Sequence, residues 1–96
     1  MTPEGKVKAK AIRTLKAMDA YHCMPVTGGF GTSGVPDILI CFRGRFIAIE
    51  CKAGKGKVTA LQQSNLDAIR RAGGVALVIN ELDVDFLEEL ILEAIK

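Results

Sequence analysis

Holding a divalent metal beside an attacking water takes hard oxygen ligands and a nearby cation, and one stretch of this chain supplies both. Asp37 opens an apolar run after Gly34-Val35-Pro36, Glu50 follows thirteen positions later at the end of a second apolar run, and Lys52 stands two beyond it. Side chains alternate along a strand, so Glu50 and Lys52 share one face, about 6.6 Å apart, and Cys51 takes the other. Charges at the mouths of apolar strands are costly to bury unpaired, so all three need partners. A structural salt bridge from Lys52 to either carboxylate meets that need as well as a metal site does, and spacing alone does not separate the two. Gly34 and Gly54 flank the charges and leave room for a substrate to approach, which favours the metal.

The elements that must position these residues follow from the flanking pattern. Thr2-Pro3 is an N-cap followed by proline at the first helical position, and Val7, Ala11, Leu15 and Met18 recur at helical spacing, which predicts a helix to about Ala20. At about 100° per residue Glu4 falls on the side of Val7, Ala11 and Leu15, whereas Lys6, Lys10, Arg13 and Lys16 spread over the other. Glu4 therefore points towards the core or a cleft, although a first-turn carboxylate complementing the helix dipole is an equally good account. Tyr21 to Thr27 reads as a short strand and Gly28 to Gly34 as a flexible loop. Ile38 to Phe42 and Phe46 to Cys51, separated by Arg43-Gly44-Arg45, read as an antiparallel hairpin buried on both faces. Thr59-Ala60-Leu61-Gln62 matches a capping box, opening a helix with Leu61, Leu66 and Ile69 inward that ends at Gly73-Gly74. Val75 to Ile79 is then a short buried strand, laid parallel in the same sheet by a right-handed crossover. A final helix, Asp83 to Ile95, places Asp85, Glu89 and Glu93 in a narrow wedge while Val84, Phe86, Leu87, Leu90, Ile91, Leu92, Ala94 and Ile95 cover most of the circumference, which predicts a homodimer. The fold class is α/β, a mixed sheet flanked by helices in the order α-β-β-β-α-β-α.

Ninety-six residues make one domain, 1–96, with 49% hydrophobic and 25% charged residues, an ordinary soluble composition. No apolar run approaches the roughly 18 to 20 residues that span a bilayer. The N-terminus lacks the apolar core and cleavage site of a secretory signal, so a cytoplasmic protein is expected. Cys23, Cys41 and Cys51 are odd in number and lack Cys-x-x-Cys spacing, so they read as reduced, mostly buried small hydrophobes rather than zinc ligands. A net charge of +2 does not by itself establish a nucleic-acid partner.

Three patterns are set aside. Gly29 to Gly34 satisfies Gly-x-Gly-x-x-Gly, but a strand follows where dinucleotide binding needs a helix N-terminus. Gly54-Lys55-Gly56-Lys57-Val58 lacks the upstream glycine and the Ser/Thr of a phosphate-binding P-loop, so no nucleotide cofactor is expected. His22 and Cys23, adjacent in a strand, point to opposite faces, which leaves His22 a partly buried structural residue.

Gly34-Val35-Pro36-Asp37, Glu50-Cys51-Lys52, Thr59-x-x-Gln62, and Gly73-Gly74 followed by Val75-Ala76-Leu77-Val78, in that order, closely resemble the VRR-NUC (virus-type replication-repair nuclease) domain, a branch of the PD-(D/E)XK nuclease superfamily. The resemblance covers about residues 2 to 80. It implies a restriction-endonuclease-like core and a Mg²⁺- or Mn²⁺-dependent DNA endonuclease. Asp37 and Glu50 would hold the metal with the backbone C=O of Cys51, Lys52 would orient or help deprotonate the water, Gln62 would support the site, and Glu4 would add a helix-one carboxylate. The capping-box role of Gln62 explains that residue equally well, with Gln63 its neighbour. Asn65 departs from the family, where an aromatic is common, a change of packing rather than chemistry. Stand-alone members resemble Holliday junction resolvases in forming dimers, which implies branched DNA as substrate and fits a phage or bacterial origin; a nickase, a flap or restriction-like nuclease, or an inactive DNA-binding module are the alternatives. Lys55 and Lys57, Arg43 and Arg45, Lys6 and Lys10, with Arg13, Lys16 and Arg70-Arg71, are candidate phosphate contacts, although scattered surface charges are more often simply solvated. One tyrosine and four phenylalanines offer no array for stacking single-stranded bases.

Overall fold

The computed structural model describes residues 1–26, 31 and 33–96; most of the expected glycine loop, and the end of the strand expected to reach Thr27, lie outside them. Helix α1 spans Pro3–Ala17, strand β1 Tyr21–Cys23, β2 Ile38–Phe42, β3 Arg45–Cys51, helix α2 Ala60–Arg71, strand β4 Val75–Ile79 and helix α3 Leu87–Ala94, the last preceded by a 3-10 turn at Val84–Phe86. The sheet order is β1-β2-β3-β4, antiparallel from β1 to β3 and parallel between β3 and β4, so the expected mixed sheet and element order are both present.

The strand with the longest apolar run takes the most enclosed place. Ile47 through Cys51 of β3 are all buried, between β2 and β4. Alternation sends Ile47, Ile49 and Cys51 into one core with Ile38 and Ile40 of β2, Val7, Ala11 and Leu15 of α1, and Leu87 and Ile91 of α3. The other face carries Ala48 and Glu50 towards α2, whose Leu66 is buried. Strand β2 is not buried on both faces as expected: Ile38 and Ile40 are, whereas Cys41 is exposed, because α2 packs against β4 and leaves the β1–β2 half of that face uncovered. Tyr21, Cys23, Leu39, Cys41 and Phe46 line a shallow apolar hollow there. Two of the three cysteines are therefore surface thiols and only Cys51 is buried. His22 is partly buried, its Nδ1 3.4 Å from the Ala20 carbonyl.

Both long helices start and stop as their end residues dictate. The Thr2 hydroxyl accepts from the Gly5 amide at 2.9 Å, with Pro3 at the first helical position. Helix α1 ends at Ala17 rather than Ala20: Asp19 adopts φ 57°, its amide donates to the Lys16 carbonyl, and the Ala20 amide reaches back to Leu15. That is a Schellman stop with aspartate in the left-handed position usually given to glycine. Helix α2 ends the same way, with Gly73 at φ 94° and the Gly74 amide donating to Ile69. Leu61 lies outward on α2, 54% exposed, contrary to the expected inward face. The final helix is also shorter than its periodicity predicts. Asn80 Oδ1 accepts from the Leu82 and Asp83 amides and Asp83 Oδ2 from the Asn80 amide, which holds this stretch as a turn until α3 begins at Leu87.

Candidate active site

The two carboxylates meet because of strand register. The β2–β3 ladder ends with Ile38 opposite Ile49, so the next residues out, Asp37 and Glu50, are brought together at that end of the sheet, with carboxylate oxygens within 4.8 Å. The Lys52 amide donates to the Ile79 carbonyl at 2.9 Å, which keeps the chain beside β4 one residue past β3 and holds Lys52 on the face of Glu50. Glu4, near the N-terminus of α1, brings a third carboxylate; one oxygen each from Glu4, Asp37 and Glu50 lie within 4.8 Å of one another.

Glu50 is 1% exposed and the only charged residue among the buried ones described. Its Oε2 accepts from Gln62 Nε2 at 3.2 Å and faces Lys52 Nζ at 3.6 Å. Its Oε1 is buried with no partner among the described residues. Burial first, then the charge and the contact of Asp37, with Glu4 adding and Lys52 opposing, push the Glu50 carboxyl up to about 7. A purely structural ion pair would be expected to satisfy both oxygens; here one is desolvated and without a partner among the described residues, in a carboxylate that clusters with two more. The donor set is hard oxygen throughout, which suits Mg²⁺ or Mn²⁺ and does not suit zinc. Cys51 adds no thiolate ligand: burial, then Asp37 and Glu50, push it up to about 12.

Gln62 both caps α2 and touches Glu50. Its amide donates to Thr59 Oγ1, its Oε1 accepts from the Thr59 amide, and its Nε2 still reaches Glu50. The capping box fixes the side chain so that its free end meets the buried carboxylate.

Asp37 is positioned by its backbone neighbours. Its Oδ2 accepts from the Cys51 amide at 2.8 Å. The loop before it is clamped to α2: Asn65 Nδ2 donates to the carbonyls of Ser33 at 3.1 Å and Leu61 at 3.0 Å. Gly34 takes φ 78°, and a Cβ there would meet the Leu61 backbone at 2.9 Å. Gly34 thus permits a close approach and opens no space for substrate, which corrects that part of the expectation; Gly54, at φ 57° with open space around it, does leave room. Asn65, read as a packing change, is a hydrogen-bonding tether.

The structure adds Lys8, whose Nζ lies 3.7 Å from Asp37 Oδ1. Its signal was available: Lys8 is one turn after Glu4 on the same helix face. Of the candidate phosphate contacts, Lys57 lines a hollow with Lys52, Gly54 and Asn80, and Lys55 is exposed in the same loop. Lys6 and Lys10 border a pocket of about 390 Å³ with Val7, Gly54 and Glu81, Lys10 also pairing with Asp85 at 3.4 Å. Arg43 and Arg45 are not brought to the site. They stand at the far end of β3, about 17 Å away along the strand, Arg43 4.9 Å from the Phe42 ring centroid and Arg45 donating to the Ile95 carbonyl at 3.1 Å. Arg70 donates to the Ala76 carbonyl at 2.7 Å.

A mixed four-stranded sheet flanked by helices, with acidic groups and a lysine converging at the strand ends, is the PD-(D/E)XK-like architecture of a nuclease-type domain. Among solved structures the chain is similar to a "VRR_NUC domain" at 26% identity, covering 93% of this chain and 97% of that one with a TM-score of 0.77. A "VRR_NUC domain protein" at 21% identity, covering 98% and 88%, shares the fold with a TM-score of 0.77. No family model and no curated protein matches the sequence. The narrower recognition made from the ordered motifs, a VRR-NUC domain, is borne out by these structures.

Proposed function

We propose that this domain is a metal-dependent DNA endonuclease that hydrolyses phosphodiester bonds in branched DNA such as Holliday junctions. The observation that carries the reading is the buried Glu50 carboxylate, one oxygen of which has no partner among the described residues, clustered with Asp37 and Glu4 and beside Lys52. Asp37 and Glu50, with Glu4 and the backbone carbonyl of Cys51, would hold Mg²⁺ or Mn²⁺, which when bound supplies activation of water and neutralisation of charge at the phosphodiester. Lys52, on the face of Glu50, orients the water or helps deprotonate it. Gln62 holds Glu50 in place from α2. Lys55, Lys57, Lys6 and Lys10 contact backbone phosphates without reading bases.

The reading includes a homodimer, whose paired sites would suit symmetric cleavage of a junction. Phe86 and Leu82, 61% and 73% exposed at the start of the final helical region, support a second copy packing there. Light scattering should give twice the monomer mass.

The test is cleavage of a labelled four-way junction and a matched linear duplex with Mg²⁺, Mn²⁺ or EDTA, alongside folded Glu50→Ala and Lys52→Ala variants. Metal-dependent cutting of the junction, absent in both variants, is expected. Equal cutting of the duplex would point to a nickase or restriction-like enzyme, and binding without cutting under every ion to an inactive DNA-binding module.

A further inference from the structure

Asp37 has two oxygens with different duties. Oδ2 is engaged by the Cys51 amide at 2.8 Å, whereas Oδ1 pairs with a charge, Lys8 Nζ at 3.7 Å. Oδ1 is therefore the oxygen that a metal would take with least loss, and Lys8 stands where it would have to yield. The pair is loosely held: the side chains of Lys8 and Asp37 are 37% and 22% exposed, against 15% and 2% for Lys52 and Glu50. Ion pairs this exposed contribute little, so their exchange for a stronger partner costs little. A lysine near the helix N-terminus, on a long stem that reaches solvent, can turn from a carboxylate to a phosphate without moving the backbone.

We propose that Lys8 is a resident counter-ion of Asp37 that a divalent ion displaces, and that the freed ammonium then binds a DNA phosphate beside the scissile bond. This rests on the metal-dependent nuclease reading. In the metal-free protein Lys8 and Lys52 together offset the charge that Glu4, Asp37 and Glu50 concentrate in one place. Once two positive charges arrive, a third beside Asp37 is repelled, and the DNA backbone is the partner that remains.

Calorimetric titration of Mn²⁺ into wild-type, Lys8→Ala and Lys8→Arg proteins at fixed ionic strength, without DNA, tests the first step, with circular dichroism confirming that each is folded. Lys8→Ala should bind Mn²⁺ roughly three- to tenfold more tightly, because a competing charge is gone, and Lys8→Arg should resemble wild type. Unchanged or weaker binding by Lys8→Ala would overturn the displacement. For the second step, junction binding in Ca²⁺ is measured as log K against log salt. Lys8→Ala should lose about one unit of slope and Lys8→Arg none; an unchanged slope would overturn the hand-over. A wild-type protein that binds no Mn²⁺ would remove the nuclease reading and this proposal together, whereas equal binding by wild type and Lys8→Ala removes the proposal alone.

Discussion

The two ends of β3 treat charge in opposite ways. At the Arg45 end each cation is absorbed by structure: Arg45 donates to the last turn of α3, and Arg43 packs over Phe42 beside a Gly44 at φ 75°. At the Glu50 end three carboxylates are pressed together, two lysines do not fully offset them, and one buried oxygen has no partner among the described residues. The same strand thus carries a stability-serving terminus and a terminus held in an unfavourable state by its surroundings. Such unfavourable arrangements persist where function needs them.

That contrast should break most sharply under mutation at the two ends. Glu50→Gln, nearly isosteric, is expected to lower metal-dependent cleavage by at least about a thousandfold, and Lys52→Ala by roughly 10²- to 10⁴-fold; single-turnover assays on the junction read both. Arg45→Ala should do the reverse, costing about 1 to 2 kcal/mol in urea unfolding while leaving cleavage within about twofold.

Acidity sharpens the comparison next. Glu50 carries its proton up to about 7 in the folded protein, against an ordinary 4.5. Between those values the folded state binds more protons than the unfolded one, so the contribution of Glu50 is full below pH 4.5 and is lost as pH rises through about 7. The loss is on the order of 3 kcal/mol, and Glu50→Gln should flatten that part of the metal-free stability curve. A divalent ion should meanwhile release protons on binding near pH 6.5, measurable in two buffers of different ionisation heat.

A smaller effect is expected from the clamp that places Asp37. Gly34→Ala forces a side chain into the Leu61 backbone at φ 78° and should destabilise by about 1 to 3 kcal/mol. Asn65→Ala should cost about 1 kcal/mol and lower cleavage modestly by loosening the same loop. Paired alanine substitutions of Lys55 and Lys57 should be the mildest, reducing the salt dependence of DNA binding with the fold unchanged.

The sheet and most of the site were legible because they rest on short-range rules. Period-two alternation put Glu50 and Lys52 on one face, hairpin pairing brought Asp37 to Glu50, and the helical wheel set Glu4 on the side of Val7 and Ala11, where it meets the other two carboxylates while itself exposed. What escaped depended on packing between elements. Whether Cys23, Cys41 and Leu39 are covered is decided by where α2 lies over the sheet, which no local pattern in β1 or β2 encodes. Gly34 carries the same composition signal whether a loop is open or pressed against a helix, and only the contact with Leu61 distinguishes them. Gln62 posed a choice between cap and support of the site because sequence assigns one role at a time, whereas a side chain with two polar ends both caps the helix and reaches Glu50. Lys8 was overlooked among the other basic residues of α1, although its spacing from Glu4 marked it.

The claim that one end of β3 forgoes stability to hold a metal is tested most directly by the thermal midpoint of wild type and Glu50→Gln at pH 8, each with EDTA and with Mn²⁺. Without metal, Glu50→Gln should melt higher than wild type, because the crowded buried carboxylate is gone; with Mn²⁺ only wild type should gain substantially. A variant that melts lower than wild type in EDTA, together with an equal gain from Mn²⁺ in both proteins, would contradict the account and leave Glu50 and Lys52 as a structural ion pair.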